Sequence, residues 1–243
     1  MRPSRWLVAI LALVVAAGAT YLMLRKPAWD IASASNNLAV PGLADAELSR
    51  RGINRLEMGS VTLPTGRIVA ADPLAQPDRR SFVRTVAPGR YPVTLFIAEE
   101  RVVMAMLRLS DAPIARWELA LVPGQSTSRL EPGTFFGYPV DTGLGSFMDA
   151  AAFAAVQRRE AAIRKELGPQ ANYYDDVLHA ELSDGRLHLL HRPMPDTEVD
   201  IAIFGSGWGD GSYPSIWGLS DKDVPVALVT DFHVLDDGKV PDR

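Results

Sequence analysis

The residues with the clearest chemical potential lie in the run 205–214, GSGWGDGSYP, where glycine occupies every second position from 205 to 211. Glycine permits positive φ angles and lets a ligand or another part of the chain approach the backbone closely. Trp208 could stack on a ligand, and Asp210 places a charge beside it. The alternative is a glycine-rich bend that simply buries Trp208. The predicted ligand-binding residues are Trp208, Gly207, Gly209, Gly211 and Tyr213.

This run does not satisfy the pattern of a dinucleotide-binding loop. That pattern is Gly-x-Gly-x-x-Gly at the start of a helix, with the pyrophosphate held at the helix N-terminus. Asp210 occupies the sixth position, and the following residues 211–214, GSYP, are poor helix formers. We therefore expect no dinucleotide site at this run.

A second dense motif, 141–149 (DTGLGSFMD), supplies two further carboxylates. Candidate catalytic or metal-binding carboxylates are Asp141, Asp149, Asp210 and Asp231. If they converge, they could bind Ca²⁺ or Mg²⁺ through oxygen, or act as a general acid/base pair. The spacing is not that of an EF-hand loop. Because Asp149 also suits a helix cap and Asp141 a turn, we predict no metal or other cofactor. Asp141, Asp149 and Asp210 remain the alternative set for Ca²⁺ or Mg²⁺.

Charge and composition exclude several classes of function. Beyond residue 26 the net charge is −8, because all 29 acidic residues but only 21 of the 25 basic residues lie there. An acidic surface disfavours contacts with phosphate, so we predict no nucleic-acid partner. The chain contains no cysteine, which excludes disulfides, thiolate nucleophiles and cysteine-ligated metals.

The N-terminus carries a hydrophobic segment, 6–24, that contains no charged residue. As a helix its 19 residues would extend ~28 Å, close to the hydrocarbon thickness of a bilayer. A cleaved signal peptide would end near Ala19, but the apolar run continues beyond it and favours an uncleaved anchor. We predict a signal anchor over 1–26 that inserts residues 6–24 in the inner membrane. The C-terminal domain would then face the periplasm or the cell exterior.

The remaining chain is divided into a flexible tether at 27–45 and a single domain at 46–243. The domain is predicted to be α+β and strand-rich, with mostly antiparallel sheets and one inserted main helix at about 147–167. Ser146 is the predicted helix cap, with Asp149 as its capping-box partner. The predicted strands are a hairpin at 61–70, a pair at 91–97 and 102–109, and single strands at 116–122, 187–191, 199–204, 215–219 and 224–232. Residues 173–182 are predicted to form a second, short helix.

Several segments together resemble an uncharacterised and mainly bacterial group, the domain-of-unknown-function family 4241. The matching stretches are 59–73 (GSVTLPTGRIVAADP), 87–93 (APGRYPV), 116–120 (RWELA), 137–149 (GYPVDTGLGSFMD), 206–213 (SGWGDGSY) and 229–232 (VTDF). The resemblance implies a domain over residues 56–235 and no established activity. Many relatives are soluble and cytoplasmic, so the N-terminal hydrophobic segment departs from the family and localisation is not carried over.

These observations lead to a functional hypothesis with one main alternative. The protein is predicted to be a membrane-tethered extracytoplasmic module that binds a ligand or a protein through the turn containing Trp208. The alternative is a metal-assisted or carboxylate-based hydrolase that uses Asp141, Asp149 and Asp210. A domain in which every motif is structural is the third possibility. The arrangement of these three carboxylates around Trp208 distinguishes the hypotheses.

Overall fold

The computed structural model describes residues 28–76, 79–182 and 188–240 as a strand-rich α+β fold with antiparallel sheets. The strands are β1 (Asn54–Leu63), β2 (Ile68–Ala71), β3 (Gly89–Ala98), β4 (Arg101–Arg108), β5 (Arg116–Leu119), β6 (Tyr138–Val140), β7 (Leu144–Asp149), β8 (His188–His191), β9 (Ile201–Gly205), β10 (Gly211–Tyr213), β11 (Ser215–Leu219) and β12 (Pro225–Asp231). The helices are α1 (Asp45–Arg50), α2 (Ala150–Leu167) and α3 (His179–Leu182), and a π-helical turn (Tyr174–Leu178) precedes α3.

Two sheets and a helix form three layers. The six-stranded sheet has the order β1-β3-β4-β12-β11-β5, and the four-stranded sheet has the order β2-β7-β9-β8. Side chains along β7 alternate between the two faces of the smaller sheet, as strand geometry requires. Phe147 packs in the core shared with the larger sheet, whereas Met148 packs with Ala152 and Val156 of α2. A two-stranded ribbon of β6 and β10 completes the sheets.

The strand pairing confirms one predicted hairpin and corrects another. β3 and β4 pair through the two-residue turn Glu99-Glu100, where both residues have positive φ, as a tight hairpin turn requires. The predicted hairpin at 61–70 is wrong, because β1 pairs with β3 and β2 pairs with β7. The turn between β1 and β2 therefore carries the chain from one sheet to the other.

The main helix begins three residues later than predicted. Ser146 lies inside β7 and donates its hydroxyl hydrogen bond to the Ala71 carbonyl at 2.7 Å, so it does not cap the helix. Asp149 is the N-cap itself and accepts from the Ala151 amide at 2.8 Å. A carboxylate at this position satisfies an amide that has no partner within the helix and also favours the positive end of the helix dipole.

Residues 28–44, which we call the N-terminal strap, pack against the domain. The predicted flexible tether overlaps this strap, and the structure corrects that interpretation. Ser35 and Asn37 are buried and hydrogen-bond to Asp231 at the end of β12, at 2.5 and 2.9 Å. Val40 is fully buried in the main core. The packed domain therefore starts before residue 46.

The predicted membrane anchor, residues 1–26, lies outside the described residues. Within the ranges that the structure does describe, we find no helix that combines the length and the apolar character required to span a membrane.

Candidate functional site

The glycine-rich run forms a tight, well-bonded turn between β9 and β10. The Ser206 amide donates to the Gly143 carbonyl at 3.1 Å, and the Gly209 amide donates to the Ser206 carbonyl at 3.1 Å. The Gly209 carbonyl accepts from the hydroxyls of Ser206 and Tyr213, each at 2.9 Å. A strand, β10, rather than a helix follows the turn. We call residues 206–210 the Trp208 turn.

Two of the glycines in and beside this turn are required by close packing. Gly207 has φ +65°, and a Cβ there would lie 2.7 Å from Val234 Cγ2 and 2.9 Å from Phe232 Cβ. A Cβ on Gly211 would lie 2.9 Å from the hydroxyl oxygen of Tyr213. Both glycines therefore serve the fold, because a larger residue would force the turn away from the core.

Tyr213 also belongs to the support of the turn. Its ring is buried and packs edge-on against Phe232, with ring centroids 5.0 Å apart. Burial raises the pKa of the Tyr213 hydroxyl, and the nearby charge of Asp210 acts in the same direction. The phenol therefore remains a neutral hydrogen-bond donor to the turn.

Trp208 is exposed, with 55% of its surface accessible. The guanidinium of Arg101 lies over the indole, 4.3 Å from the ring centroid. Arg101 also donates to the Glu99 carbonyl at 3.0 Å, which ties it to the β3–β4 hairpin turn. The indole is thus held in place by a cation–π contact while more than half of its surface stays open to solvent. The sequence did not identify Arg101, because it lies 107 positions from Trp208 and no local pattern links them.

Two of the candidate carboxylates lie in or beside the Trp208 turn. β6 and β10 are antiparallel and Val140 pairs with Gly211. Extending that register by one residue places Asp141 beside Asp210, and both residues are exposed. Asp141, Asp210 and Trp208 therefore share one corner of the molecule.

Asp149 lies at the other end of β7. Leu144 pairs with Gly205 next to the Trp208 turn, whereas Asp149 pairs with Ile68. Five residues along a strand correspond to roughly 16 Å. Asp149 is fully buried and accepts from the Thr65 amide at 3.0 Å and the Thr65 hydroxyl at 2.8 Å. Its oxygens are occupied by the fold, so it does not join Asp141 and Asp210 in a shared site.

Asp231 is also structural, because its carboxylate holds the N-terminal strap from within the protein. Asp72, which the sequence placed only in a family motif, has a similar role. Its carboxylate accepts from the amides of Asp141 and Thr142, at 3.0 and 2.9 Å, and from the amide of Leu74 at 3.0 Å. It therefore fixes the backbone that presents Asp141. Among the described residues, no group of three or more His, Asp or Glu side chains could hold a metal ion.

A buried histidine forms a second polar cluster away from the Trp208 turn. His191 Nε2 lies 2.5 Å from the Tyr173 hydroxyl, and His191 Nδ1 lies 3.3 Å from Glu181 Oε2. Burial lowers the pKa of His191, and the charge of Glu181 partly opposes that effect. The neutral imidazole can accept from Tyr173 and donate to Glu181, so the cluster links the π-helical turn and α3 to β8.

Comparison with known proteins gives one match. The model of a family described as "Protein of unknown function (DUF4241)" matches residues 61–230, which is more than half of the chain. No curated protein and no solved structure matches significantly. The matched range contains the Trp208 turn, Asp72, Asp141 and Asp149, and it ends one residue before Asp231.

Proposed function

The chain belongs to the DUF4241 family of proteins of unknown function, and we propose that it is a membrane-tethered, extracytoplasmic module that binds a protein partner through the Trp208 turn. The observation that carries this proposal is the large exposed surface of Trp208 on a turn that hydrogen bonds and glycine packing hold rigid. Tryptophan and arginine are enriched among the residues that dominate binding energy at protein interfaces. A rigid turn loses little conformational entropy when it binds.

The charges around the turn favour a basic partner. Asp141 and Asp210 lie side by side and exposed, and Trp208 already binds one guanidinium on its ring. A Lys or Arg side chain of a partner would gain charge-assisted hydrogen bonds from the carboxylates. The net charge of −8 beyond residue 26 would also attract a basic partner at long range.

The hydrolase alternative has less support. It required Asp141, Asp149 and Asp210 to act together, but Asp149 is buried at the far end of β7 with its oxygens hydrogen-bonded to Thr65 and Ala151. Two exposed carboxylates without a positioned third ligand or base form a weak hydrolytic centre. The binding function needs no metal or cofactor.

The tether in this proposal is short. The predicted membrane segment ends at residue 24, and the N-terminal strap begins at residue 28, with the Trp29 indole donating to the Thr134 carbonyl at 2.7 Å. Three residues between them extend at most ~11 Å. The module would therefore act close to the outer surface of the inner membrane.

Site-specific photocrosslinking in cells tests the binding surface. p-Benzoylphenylalanine at position 208 keeps an aromatic ring in place, and the same reagent at Leu167 controls for an equally exposed apolar position. We expect a discrete protein adduct from position 208 and none from 167. The adduct should weaken in the Asp141→Asn/Asp210→Asn background and persist in the matched Asp196→Asn/Asp221→Asn background. Equal adducts from positions 208 and 167 would contradict the proposal.

The membrane topology has a separate test, because the chain has no cysteine. A single Glu166→Cys variant of the full chain, exposed on α2, should sediment with membranes and react with an impermeant maleimide once the outer membrane is opened. Labelling only after lysis of the inner membrane would place the domain in the cytoplasm. Recovery in the soluble fraction would remove the anchor from the proposal.

A further inference from the structure

A groove lies on the outer face of the six-stranded sheet, away from the Trp208 turn. Its volume is about 620 Å³, within the range of small-molecule sites. Residues 38–44 of the N-terminal strap form one wall, and the loop 110–114 forms another. β4, β12 and β5 provide the floor. These segments are far apart in sequence, so no local motif predicts the groove.

The sheet register explains the shape of the floor. Arg108 pairs with Ala227, Ala227 pairs with Gly218, and Gly218 pairs with Trp117. Residues directly opposite each other on antiparallel strands place their side chains on the same face. Two small residues, Ala227 and Gly218, therefore lie between the cation of Arg108 and the indole of Trp117 on this face of the sheet. The side chain of Ile114 closes over Gly218, since a Cβ there would lie 2.8 Å from Ile114 Cδ1.

The groove is lined by both charged and apolar side chains. Arg108 stands at one end, and the apolar side chains that line the groove are Leu38, Pro41, Leu43, Met106, Ile114 and Trp117. A ligand that spans it would place an anionic group on Arg108 and its hydrocarbon on these side chains.

The Arg108 guanidinium is available to such a ligand. Its nearest carboxylate is Asp111 at 4.0 Å, and the side chain of Asp111 is fully exposed. Exposed ion pairs of this kind contribute little to stability, because water competes for both charges. Arg55, at the strap wall, is more strongly engaged, since it donates to the Leu43 carbonyl at 2.7 Å and lies 3.3 Å from Asp45. Arg108 is therefore the cation that can exchange its weak partner for a bound anion.

We propose that this groove binds a small amphipathic monocarboxylate, with the carboxylate on Arg108 and the apolar chain between Trp117 and the N-terminal strap. The planar guanidinium matches a carboxylate with two parallel hydrogen bonds. Ala227, which lines the groove beside Arg108, leaves room for methylene groups. This site is independent of the Trp208 turn and of the membrane anchor.

Calorimetric titration with octanoate tests the proposal. The full chain is reconstituted in lipid nanodiscs so that no detergent competes, and empty nanodiscs serve as the blank. We expect saturable binding of octanoate and at least tenfold weaker binding (about 1.4 kcal/mol) in Arg108→Gln, because a charge-assisted hydrogen bond is lost. Arg90→Gln, an exposed arginine on β3 outside the groove, should bind as the unmodified protein does.

Two further arms keep the outcome clear. Gly42 lines the groove and a Cβ there meets nothing within 4 Å, so Gly42→Leu should obstruct the groove without disturbing the fold and should abolish binding. Octylammonium has the same chain with the opposite charge and should not bind. Saturable binding of octylammonium, equal binding of octanoate by a folded Arg108→Gln variant, or no saturable binding of octanoate at millimolar concentration would each overturn the proposal.

Discussion

Asp149 and Asp210 look equivalent in the sequence, since each is a carboxylate within a glycine-containing motif. In the structure they have opposite environments. Asp149 is buried and surrounded by donors from Thr65 and Ala151. Asp210 is exposed next to Trp208. A buried carboxylate must be satisfied by the protein itself, whereas an exposed one remains available to a partner. The residues of the two motifs therefore divide into a structural group, which includes Asp149, and a surface group, which includes Asp210.

The largest effect is expected from removing the buried carboxylate. Asp149→Ala should lower the free energy of unfolding by about 3 kcal/mol, because the helix loses its N-cap and the Thr65 amide and hydroxyl lose their charged acceptor. Asp141→Ala is the matched control, since its exposed side chain should matter by less than about 0.5 kcal/mol. Urea denaturation measures both. Similar losses in the two variants would remove the distinction between the groups.

The second prediction concerns the support of the turn. Gly207→Ala should lower the free energy of unfolding by about 2 kcal/mol. The alanine must keep the positive φ of Gly207, and its Cβ would lie less than 3 Å from Val234 and Phe232. Gly42→Ala is the control, since a Cβ there meets nothing within 4 Å. Thermal or urea unfolding of the two variants should separate them clearly. If Gly207→Ala leaves the free energy of unfolding unchanged, the turn is not closely packed.

A third, smaller effect should depend on pH. Burial lowers the pKa of His191 from its usual value of 6.5, so the unfolded chain binds a proton more readily than the folded chain. The stabilisation is therefore complete above pH 6.5 and declines as the pH falls toward the folded pKa. His191→Asn should flatten the slope of unfolding free energy between pH 7.5 and about 5.5. His179→Asn, at an exposed position, should leave this slope unchanged. If His191→Asn also leaves it unchanged, His191 is not the group that causes the pH dependence.

The sequence predicted the elements whose partners are close in the chain. The β3–β4 hairpin and the body of α2 follow from period-two and helical patterns within short windows. The hairpin at 61–70 was wrong because β2 pairs with β7, and four strands of other sheets lie between them in the chain. The tether was misread because small polar residues such as Ser35 and Asn37 match the composition of a linker, but here they satisfy Asp231 about 195 positions away.

The candidate site was predictable in part for the same reason. The local sequence predicts the need for glycine at position 207 and identifies Trp208 as a candidate binding residue. Arg101, which lies over the indole, and Asp72, which fixes the backbone of Asp141, depend on contacts between distant strands. Exposure, which separates Asp210 from Asp149, is a property of the packed molecule and has no local sequence signal.

The most direct test of the central claim uses Trp208→Ala in the full chain. Two quantities are measured together: the free energy of unfolding, and the affinity for the partner identified by crosslinking at position 208. Leu167→Ala is the control for loss of an exposed apolar side chain. We expect Trp208→Ala to change the free energy of unfolding by less than about 1 kcal/mol and to weaken partner binding by at least tenfold, a change of about 1.4 kcal/mol. Full affinity in Trp208→Ala, or a loss of stability as large as that of Asp149→Ala, would place Trp208 in the structural group and contradict the account.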